Sequence, residues 1–273
     1  MRYLFIILNL TWGSLLFSQQ HNRISRSELG IMLGGAHYLG DLNPFFKINR
    51  IKPAASIFYR YHKNPRLTFR ANFTYGSVEA SDQDASWEIF RNRNLDFKSN
   101  IFELGAGVEF HYLKFQLGSK RHRGTAYLLA ELALFRMNPM GSTADGGWTA
   151  LQPLATEGQG TDLSNRGRYS LIQLAIPLGV GAKFSLGPKM SIGVEAGIRK
   201  TFTDYLDDVG SNEYIDPVVL AATNGPTAAA MSNKSLDGNR FGKRGNAATN
   251  DWYTFFGLTL SIRLGRPNRC YEF

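Results

Sequence analysis

Alternation of apolar and polar residues over long segments is the feature that most limits what this chain can fold into. Between Ile172 and Phe184 every even-numbered residue is apolar, and glutamine, alanine, proline, glycine or lysine fills the positions between them. A period of two is the period of a β-strand, whose successive side chains point to opposite faces. The same pattern recurs along the chain, which predicts an all-β fold.

Eight segments are predicted to be strands. Their approximate ranges are 28–41, 54–62, 67–79, 98–113, 125–137, 169–184, 189–203 and 251–265. Alternation is weakest in the first two and in 125–137, where both faces are apolar except at Glu131. Pro177 lies mid-strand without a backbone donor, so it requires either a bulge or a locally open ladder. Leu95 and Phe97 fall out of phase with the rest of their strand, which predicts a bulge near Ser99.

The two faces of these strands differ in a way that favours a narrow barrel. The apolar face is continuous and has aromatic residues near its ends, such as Tyr75, Tyr112, Phe184, Phe202 and Trp252. Aromatic girdles of this kind mark membrane interfaces. The polar face is rich in glycine and carries single charges, which suits a small lumen crossed by ion pairs. The predicted lumen network is Arg60, Arg70, Glu103, Glu109, Glu131, Lys183, Glu195, Arg199 and Arg263.

The lengths of the connections alternate. Short links of about 4 to 11 residues join the second strand to the third, the fourth to the fifth and the sixth to the seventh. The other connections are 42–53, 80–97, 138–168 and 204–250, with lengths of about 12, 18, 31 and 47 residues. Membrane barrels have short periplasmic turns and long external loops. The sequence therefore predicts an antiparallel transmembrane β-barrel of about eight strands with both termini in the periplasm.

The first residues predict export. Arg2 precedes an apolar stretch from Leu4 to about Phe17, so residues 1–18 are interpreted as a signal peptide and 19–273 as one barrel domain. The predicted location is the outer membrane. The net charge is +9, which in a cytoplasmic chain would suggest nucleic acid. Export makes nucleic acid an improbable partner, and lipid head groups or an acidic protein are expected instead.

No catalytic, cofactor or metal motif is recognisable. His37 is predicted near the external rim, but no nucleophile–base spacing accompanies it. Acidic residues recur in the external loops: Asp82, Asp84, Glu157, Asp162, Asp204, Asp207 and Asp208. Two interpretations are open for them, solvated loop acids or a calcium site, and their spacing matches no EF-hand. We expect a protein that is not an enzyme and holds no cofactor.

The predicted periplasmic side is basic. Its cations are Lys63, Arg66, Lys114, Lys120, Arg121, Arg123, Lys189, Arg266 and Arg269, with His122 among them. They either flank and anchor the barrel or dock a periplasmic partner. The docking candidates are Lys120, Arg121, Arg123, Arg266, Arg269 and Cys270. Pro267 should stop the last strand, so Cys270 would lie in a periplasmic tail, idle or linked to another chain.

Several segments resemble one family, the PorG-like outer-membrane barrels associated with the type IX secretion system. They are His37–Pro44, Asn100–Phe110, Leu154–Gly160, Leu171–Phe184 and Val194–Gly210, of which the last is the most specific. The resemblance implies an accessory or anchor that ties the outer membrane to a periplasmic ring containing a lipoprotein. Two alternatives stay open: a surface adhesion or interaction barrel that uses the long loops, and a small lipid-acting barrel enzyme.

Overall fold

The computed structural model describes residues 26–45, 47–238 and 243–265. The predicted signal peptide and the tail residues Arg266, Arg269 and Cys270 lie outside these ranges. Within them the chain forms ten strands, three short α-helices and two 3-10 turns, Asp82–Asp84 and Gln152–Leu154. The strands are β1 (Ser27–Leu39), β2 (Lys52–His62), β3 (Leu67–Ser81), β4 (Asp96–His111), β5 (Gly124–Arg136), β6 (Pro139–Ser142), β7 (Trp148–Ala150), β8 (Ile172–Ser185), β9 (Met190–Thr201) and β10 (Trp252–Leu264).

Eight of the strands close into an antiparallel barrel. The pairing follows the chain from β1 through β2, β3, β4, β5, β8 and β9 to β10. β10 then pairs with β1 along the whole of both strands, from Ser27 opposite Leu264 to Leu39 opposite Trp252. The eight predicted strands are the eight barrel strands, with ends displaced by a few residues. β6 and β7 are an additional hairpin that extends the sheet beyond β4.

The two faces of the wall have the predicted polarity. Large apolar side chains point outward, and Leu33, Leu104, Leu132 and Leu258 are 59–70% exposed. Charged side chains point inward, and Glu103, Glu109 and Arg60 are fully buried. An exposed apolar belt around the wall is stable only in contact with lipid. A closed barrel is suited to lipid because it leaves no unpaired backbone edge there.

The predicted bulge near Ser99 is wrong. β3 and β4 pair without a slip from Leu67 opposite Phe110 to Ser81 opposite Asp96. Phe97 and Ile101 are fully buried because they point into the lumen, as Glu103 does. The apolar residues move to odd positions here because the inward side chains near the external end of β4 are themselves apolar.

Pro177 opens the ladder without adding a residue. The pairing of β5 with β8 skips Glu131 and Leu132 on one strand and Ile176 and Pro177 on the other. The register is the same on both sides of this gap, from Ala130 opposite Leu178 to Ala133 opposite Ala175. Of the two alternatives, the locally open ladder is therefore the one observed.

The connections define two ends of the barrel. We call the end with the long loops the external end and the other the periplasmic end. The external loops carry the β6–β7 hairpin and three helices, α1 (Glu88–Arg93), α2 (Pro217–Asn224) and α3 (Pro226–Ser232). No helix in the described ranges is both long enough and apolar enough to cross a bilayer.

Tag insertion tests this orientation. Gly146 and Gly238 lie in the external loops, and Gly187 lies in a periplasmic turn; around all three a side chain would meet open space. We expect a peptide tag inserted after Gly146 or Gly238 to bind antibody on intact cells. The same tag after Gly187 should bind only after the outer membrane is permeabilised. The reverse pattern would show that the barrel is oriented the other way.

Candidate functional site: the filled lumen and its two ends

A first ionic cluster fills the periplasmic half of the lumen around Glu109. One carboxylate oxygen of Glu109 lies 2.6 Å from Arg60 Nε, and the other lies 2.9 Å from Lys183 Nζ. All three side chains are fully buried. Phe58 packs against the Arg60 guanidinium, 4.2 Å from the ring centroid. Glu109 therefore contacts two cations that are shielded from solvent, and burial of either without a carboxylate partner would be costly.

Neighbouring residues extend this cluster across the barrel. Arg70 Nη1 is 2.5 Å from Glu195 Oε2, which also accepts a hydrogen bond of 2.6 Å from the Tyr127 hydroxyl. Glu131 is 3.7 Å from Arg70 Nε and accepts hydrogen bonds from Asn72 Nδ2. These contacts join residues of β3, β5 and β9, so side chains in the lumen connect strands that do not pair with one another.

A second cluster lies closer to the external end. Arg199 Nε is 3.2 Å from Glu103 Oε2, and the Tyr253 hydroxyl donates to the same oxygen at 2.8 Å. The Arg199 guanidinium also packs over Phe255, 4.7 Å from the ring centroid. Together the two clusters bring together eight of the nine residues predicted for the lumen network.

Arg263 is the exception, and the prediction is wrong for it. Its guanidinium is at the periplasmic end, where Nη2 donates to the carbonyl of Leu117 at 2.7 Å. The sequence analysis instead missed Glu28, which is 1% exposed. Glu28 lies 2.7 Å from His62 Nε2 and accepts a hydrogen bond of 2.8 Å from Ser261. Its position between outward-facing residues of β1, on the polar face, was the signal that could have identified it.

An apolar collar separates the ionic lumen from the external loops. It is made of inward side chains near the external ends of the strands, with Met137 just after β5: Tyr38, Val78, Phe97, Ile101, Phe135, Met137 and Phe255. The ring of Tyr38 packs edge-on against that of Phe97 at 4.7 Å. Among the described residues, packed side chains as well as ion pairs therefore fill the lumen.

Above the collar, the external loops fold into a cap held by two buried arginines. Arg93 binds Asp82 in a bidentate pair, with Nη2 2.6 Å from Oδ1 and Nε 2.7 Å from Oδ2. Arg93 Nη1 also donates to the carbonyl of Arg244 at 2.6 Å. Arg244 forms an ion pair with Glu157 and donates to the carbonyl of Asp208 at 2.9 Å. The cap thus ties together three external loops.

The expectation of solvated loop acids is wrong for most of these residues. Asp82, Glu157, Asp207 and Asp208 are 2% exposed or less, whereas Asp162 is exposed. They are buried because the loops fold over them, and the alternation pattern of the sequence does not predict this burial. No group of three or more His, Cys, Asp or Glu side chains in the described ranges is arranged to hold a metal ion, so the calcium hypothesis has no ligand set there.

One tyrosine joins two of the buried carboxyl groups. The Tyr38 hydroxyl is 2.6 Å from Asp207 Oδ2 and 2.6 Å from Asp251 Oδ1. A phenol has one proton to donate, so one of the two carboxyl groups must be protonated and donate to the phenol oxygen. Burial and the charge of the neighbouring aspartates raise the pKa of both Asp207 and Asp251.

These raised values make the cap sensitive to alkaline pH. Burial and the charge of Asp207 raise the pKa of Asp204 from 3.8 to about 9, and burial raises that of Asp208 to about 6 although Arg244 opposes the rise. The folded cap binds the carboxyl protons of Asp204 and Asp208 more tightly than the unfolded chain does. The stability of the cap therefore falls as pH rises from 3.8 towards about 9.

We therefore expect protease to cleave the 204–250 loop faster at pH 9 than at pH 6, measured on purified protein in detergent. Asp204→Asn cannot ionise and should reduce this difference, while cleavage at pH 6 should stay close to that of the original protein. Equal cleavage at both pH values would contradict the prediction.

The periplasmic end is closed by the turn between β4 and β5, residues 112–123. Phe115 and Leu117 on this turn are 3% and 4% exposed, and they cover the mouth of the barrel. The turn is fixed by bonds from Phe115 N to Pro65 O at 3.0 Å and from Gly118 N to Ser185 Oγ at 3.0 Å. Lys120, Arg121 and Arg123 are exposed on this turn, and the Arg123 guanidinium packs over the outward-facing Phe184, 5.1 Å from the ring centroid. Of the docking candidates, these three are the ones that the described residues include.

A closed antiparallel barrel of eight strands, with ion pairs inside and an apolar outer belt, is a membrane-spanning β-barrel. The chain belongs to the DUF6089 family, described as a domain of unknown function, whose model matches residues 2–146 and 158–272.

Comparison with solved structures finds several matches at low sequence identity. Neisserial surface protein A is 11% identical, with a TM-score of 0.43, and the match covers 88% of this chain and 98% of that one. The attachment invasion locus protein Ail of Yersinia pestis is 10% identical, with a TM-score of 0.43 over 89% and 100%. The N-terminal barrel domain of Pseudomonas aeruginosa OprF is 10% identical, with a TM-score of 0.38 over 89% and 100%. No curated protein matches the chain.

Proposed function

We propose that this chain is a non-enzymatic outer-membrane barrel that serves as an accessory anchor in type IX protein secretion and docks a periplasmic lipoprotein ring. The observation that carries the proposal is the basic surface of the folded 112–123 turn. The sequence resemblance of Val194–Gly210 and the other matching segments to PorG-like barrels supplies the identity of the partner.

The periplasmic surface has a uniform charge. Residues 62–66, 112–123 and 185–189, which form the three turns at this end, contain no aspartate or glutamate. Their lysines and arginines are Lys63, Arg66, Lys114, Lys120, Arg121, Arg123 and Lys189. A surface of one sign attracts a partner of the opposite sign and speeds its association. The chemistry of the partner face is therefore acidic.

The 112–123 turn is also longer than strand closure requires. Four residues suffice for the turn between β8 and β9, whereas this one folds back on itself with Gln116 N bonded to His122 O at 3.1 Å. A preformed surface loses little conformational entropy on binding. A filled lumen supports the role of an anchor rather than that of a protein-conducting channel, because side chains occupy the space a substrate would need.

The test is a charge reversal on this turn. We expect Lys120→Glu, Arg121→Glu and Arg123→Glu together to lower recovery of periplasmic partners about tenfold in a gentle-detergent pull-down, since rim charges govern encounter and complementarity. The matched control reverses three exposed cations of the external loops, Arg91, Arg168 and Lys243. Heat-modifiability on gels should show that both triple variants keep the barrel folded.

The tail needs separate variants. Arg266→Glu with Arg269→Glu tests its charge, and Cys270→Ser tests a disulfide-linked adduct on non-reducing gels. If the turn variant and the tail variants all recover partners and secrete as the original protein does, the docking surface is not at this end of the barrel.

One observation favours the second candidate, a surface interaction barrel. The cap exposes apolar side chains away from the apolar belt, with Val218 76% exposed on α2 and Leu236 73% exposed nearby in sequence. Exposed apolar residues on loops of a rigid scaffold are common in binding surfaces. Val218→Glu with Leu236→Glu should abolish attachment to a host or matrix surface if this candidate is correct, and should leave secretion unchanged.

A further inference from the structure

A furrow of about 940 Å³ crosses the outer face of the barrel from β4 and β5 over β8 and β9 to β10. One wall is the row Leu178, Ile198 and Thr254, and the other is the row Val180, Ala196 and Phe256. Gly179 pairs with Gly197 between the two rows, so the floor is backbone. His37 and Thr254 are the polar side chains among the lining residues. The furrow is thus an apolar groove in the lipid-facing wall, of a size typical for ligand sites.

Small residues create the depression. Ala196 lies between Val180 and Phe256 in its row, and Ala130 follows Leu178 in the other row. Both alanines face outward beside larger neighbours, Leu178 in one row and Val180 and Phe256 in the other. A small side chain in each wall leaves room that lipid must fill.

A loop closes the external end of the furrow. Ile48 and Ile51 of the β1–β2 loop contribute to its lining. Gly35 on β1 allows this approach, because a Cβ there would be 2.5 Å from Ile51 Cγ2 and 2.8 Å from the Phe256 ring. Arg50, between the two isoleucines, holds the loop through ion pairs with Glu79 and Asp84. The furrow is therefore a bounded site with an end, rather than a general unevenness of the belt.

A cation stands directly above the furrow on the same outer face. Lys200 is the next outward residue after Ile198 on β9, and it pairs with Trp252 of β10. Its ammonium lies 5.7 Å from the Trp252 ring centroid, and the residue is exposed. Arg136 also points outward, at the external end of β5. Cations beside interfacial tryptophan mark the height of charged lipid head groups.

We propose that the furrow is a binding site for one molecule of lipid A, the phosphorylated, acylated anchor of lipopolysaccharide. An acyl chain lies along the furrow against Ala196, and a phosphate binds Lys200. The occupant follows from three observations: the furrow is continuous with the lipid-facing belt, it ends on the external side at the β1–β2 loop, and the exposed Lys200 is the next outward residue beyond Ile198 of its wall. The site is separate from the periplasmic docking surface, and it rests on the outer-membrane location and orientation of the proposed function.

The experiment uses the intact protein purified from outer membranes in mild detergent and examined by native mass spectrometry. We expect the protein to retain one lipid A molecule. Ala196→Phe fills the furrow and should lower the retained fraction about tenfold. Ala71→Phe adds the same bulk to the outer face of β3, away from the furrow, and should leave retention unchanged. Heat-modifiability establishes that both variants are folded barrels.

A second arm tests the phosphate. Delipidated protein is titrated with purified bisphosphorylated lipid A and with the same lipid after its phosphates are removed. We expect a preference for the phosphorylated form, which Lys200→Gln abolishes. Equal retention by Ala196→Phe and Ala71→Phe, or a retained lipid that is a phospholipid rather than lipid A, would overturn the proposal.

Discussion

Replacing Glu109 by alanine is expected to lower the free energy of unfolding of the barrel by about 3–5 kcal/mol, the usual cost of removing one partner from a buried ion pair. Glu109 is the only residue that contacts both Arg60 and Lys183 among the ion pairs of the described lumen. Without it Lys183 stays buried with no other carboxylate among the ion pairs of the described lumen, and Arg60 keeps only the longer contact with Glu195, at 3.8 Å. The measurement is the temperature of the heat-induced gel shift, which should fall clearly.

Two comparison variants make this result specific. Glu79 forms ion pairs with Arg50 and Lys52 at the external rim, where its partners are partly exposed. Glu79→Ala should therefore cost only roughly 0–1 kcal/mol. Adding Lys183→Met to Glu109→Ala removes one of the stranded charges and should restore part of the loss, as expected for coupled neighbours. A gel shift unchanged by Glu109→Ala would mean that water reaches the lumen and screens these charges.

Replacing Arg244 by alanine is expected to unfold the cap and leave the barrel intact. Arg244 is 2% exposed and neutralises Glu157, which accepts hydrogen bonds from Gly210 N and Ser211 N. Its loss strands the buried carboxylate at a cost of about 3–5 kcal/mol. Hydrogen exchange should show faster exchange at Gly210 and Ser211, with little change in the barrel strands.

Lys243 provides the control, because it precedes Arg244 in sequence and is exposed. Lys243→Ala should leave exchange at both amides unchanged. Arg244→Lys should restore only part of the protection, since an ammonium lacks the planar fork whose Nη1, Nη2 and Nε reach Glu157, Thr156 and the Ser232 carbonyl together. If Arg244→Ala exchanges as the original protein does, other contacts hold the cap closed.

The wall of the barrel could be predicted from the sequence because outward and inward side chains alternate along each strand. Each outward position must be apolar and each inward position small or paired, so alternation locates β3, β4, β8, β9 and β10 directly. The charges between them could be assigned to the lumen for the same reason. Arg263 was assigned wrongly because alternation identifies the face of a residue and says little about its height, and its position near the end of β10 is periplasmic.

The apolar collar shows where the same rule misleads. Phe97 and Ile101 break the expected phase because an inward residue need not be polar once the lumen is closed by packing. From the sequence alone this change is indistinguishable from a slipped strand. The contacts of β3 with β4 distinguish the two, because a slip would change their register and a change of lumen polarity does not.

The cap could not be predicted at all. Its helices, the β6–β7 hairpin and the arginines Arg93 and Arg244 come from loops without periodicity. The acids they bind are distant in sequence, as with Glu157 and Arg244. Burial of Asp207 and Asp208 follows from how the loops pack on one another, and local sequence carries no signal of it. Those acids were consequently expected in solvent.

The gap that Pro177 leaves between β5 and β8 has a mechanical consequence. Lateral stretching of a closed barrel puts the same tension on each of its eight strand pairings. Seven of these pairings have uninterrupted ladders, whereas the pairing of β5 with β8 lacks pairs at two successive positions. Under a pull tangential to the membrane, the wall should separate first between β5 and β8, so a lateral load on the barrel has a defined point of failure.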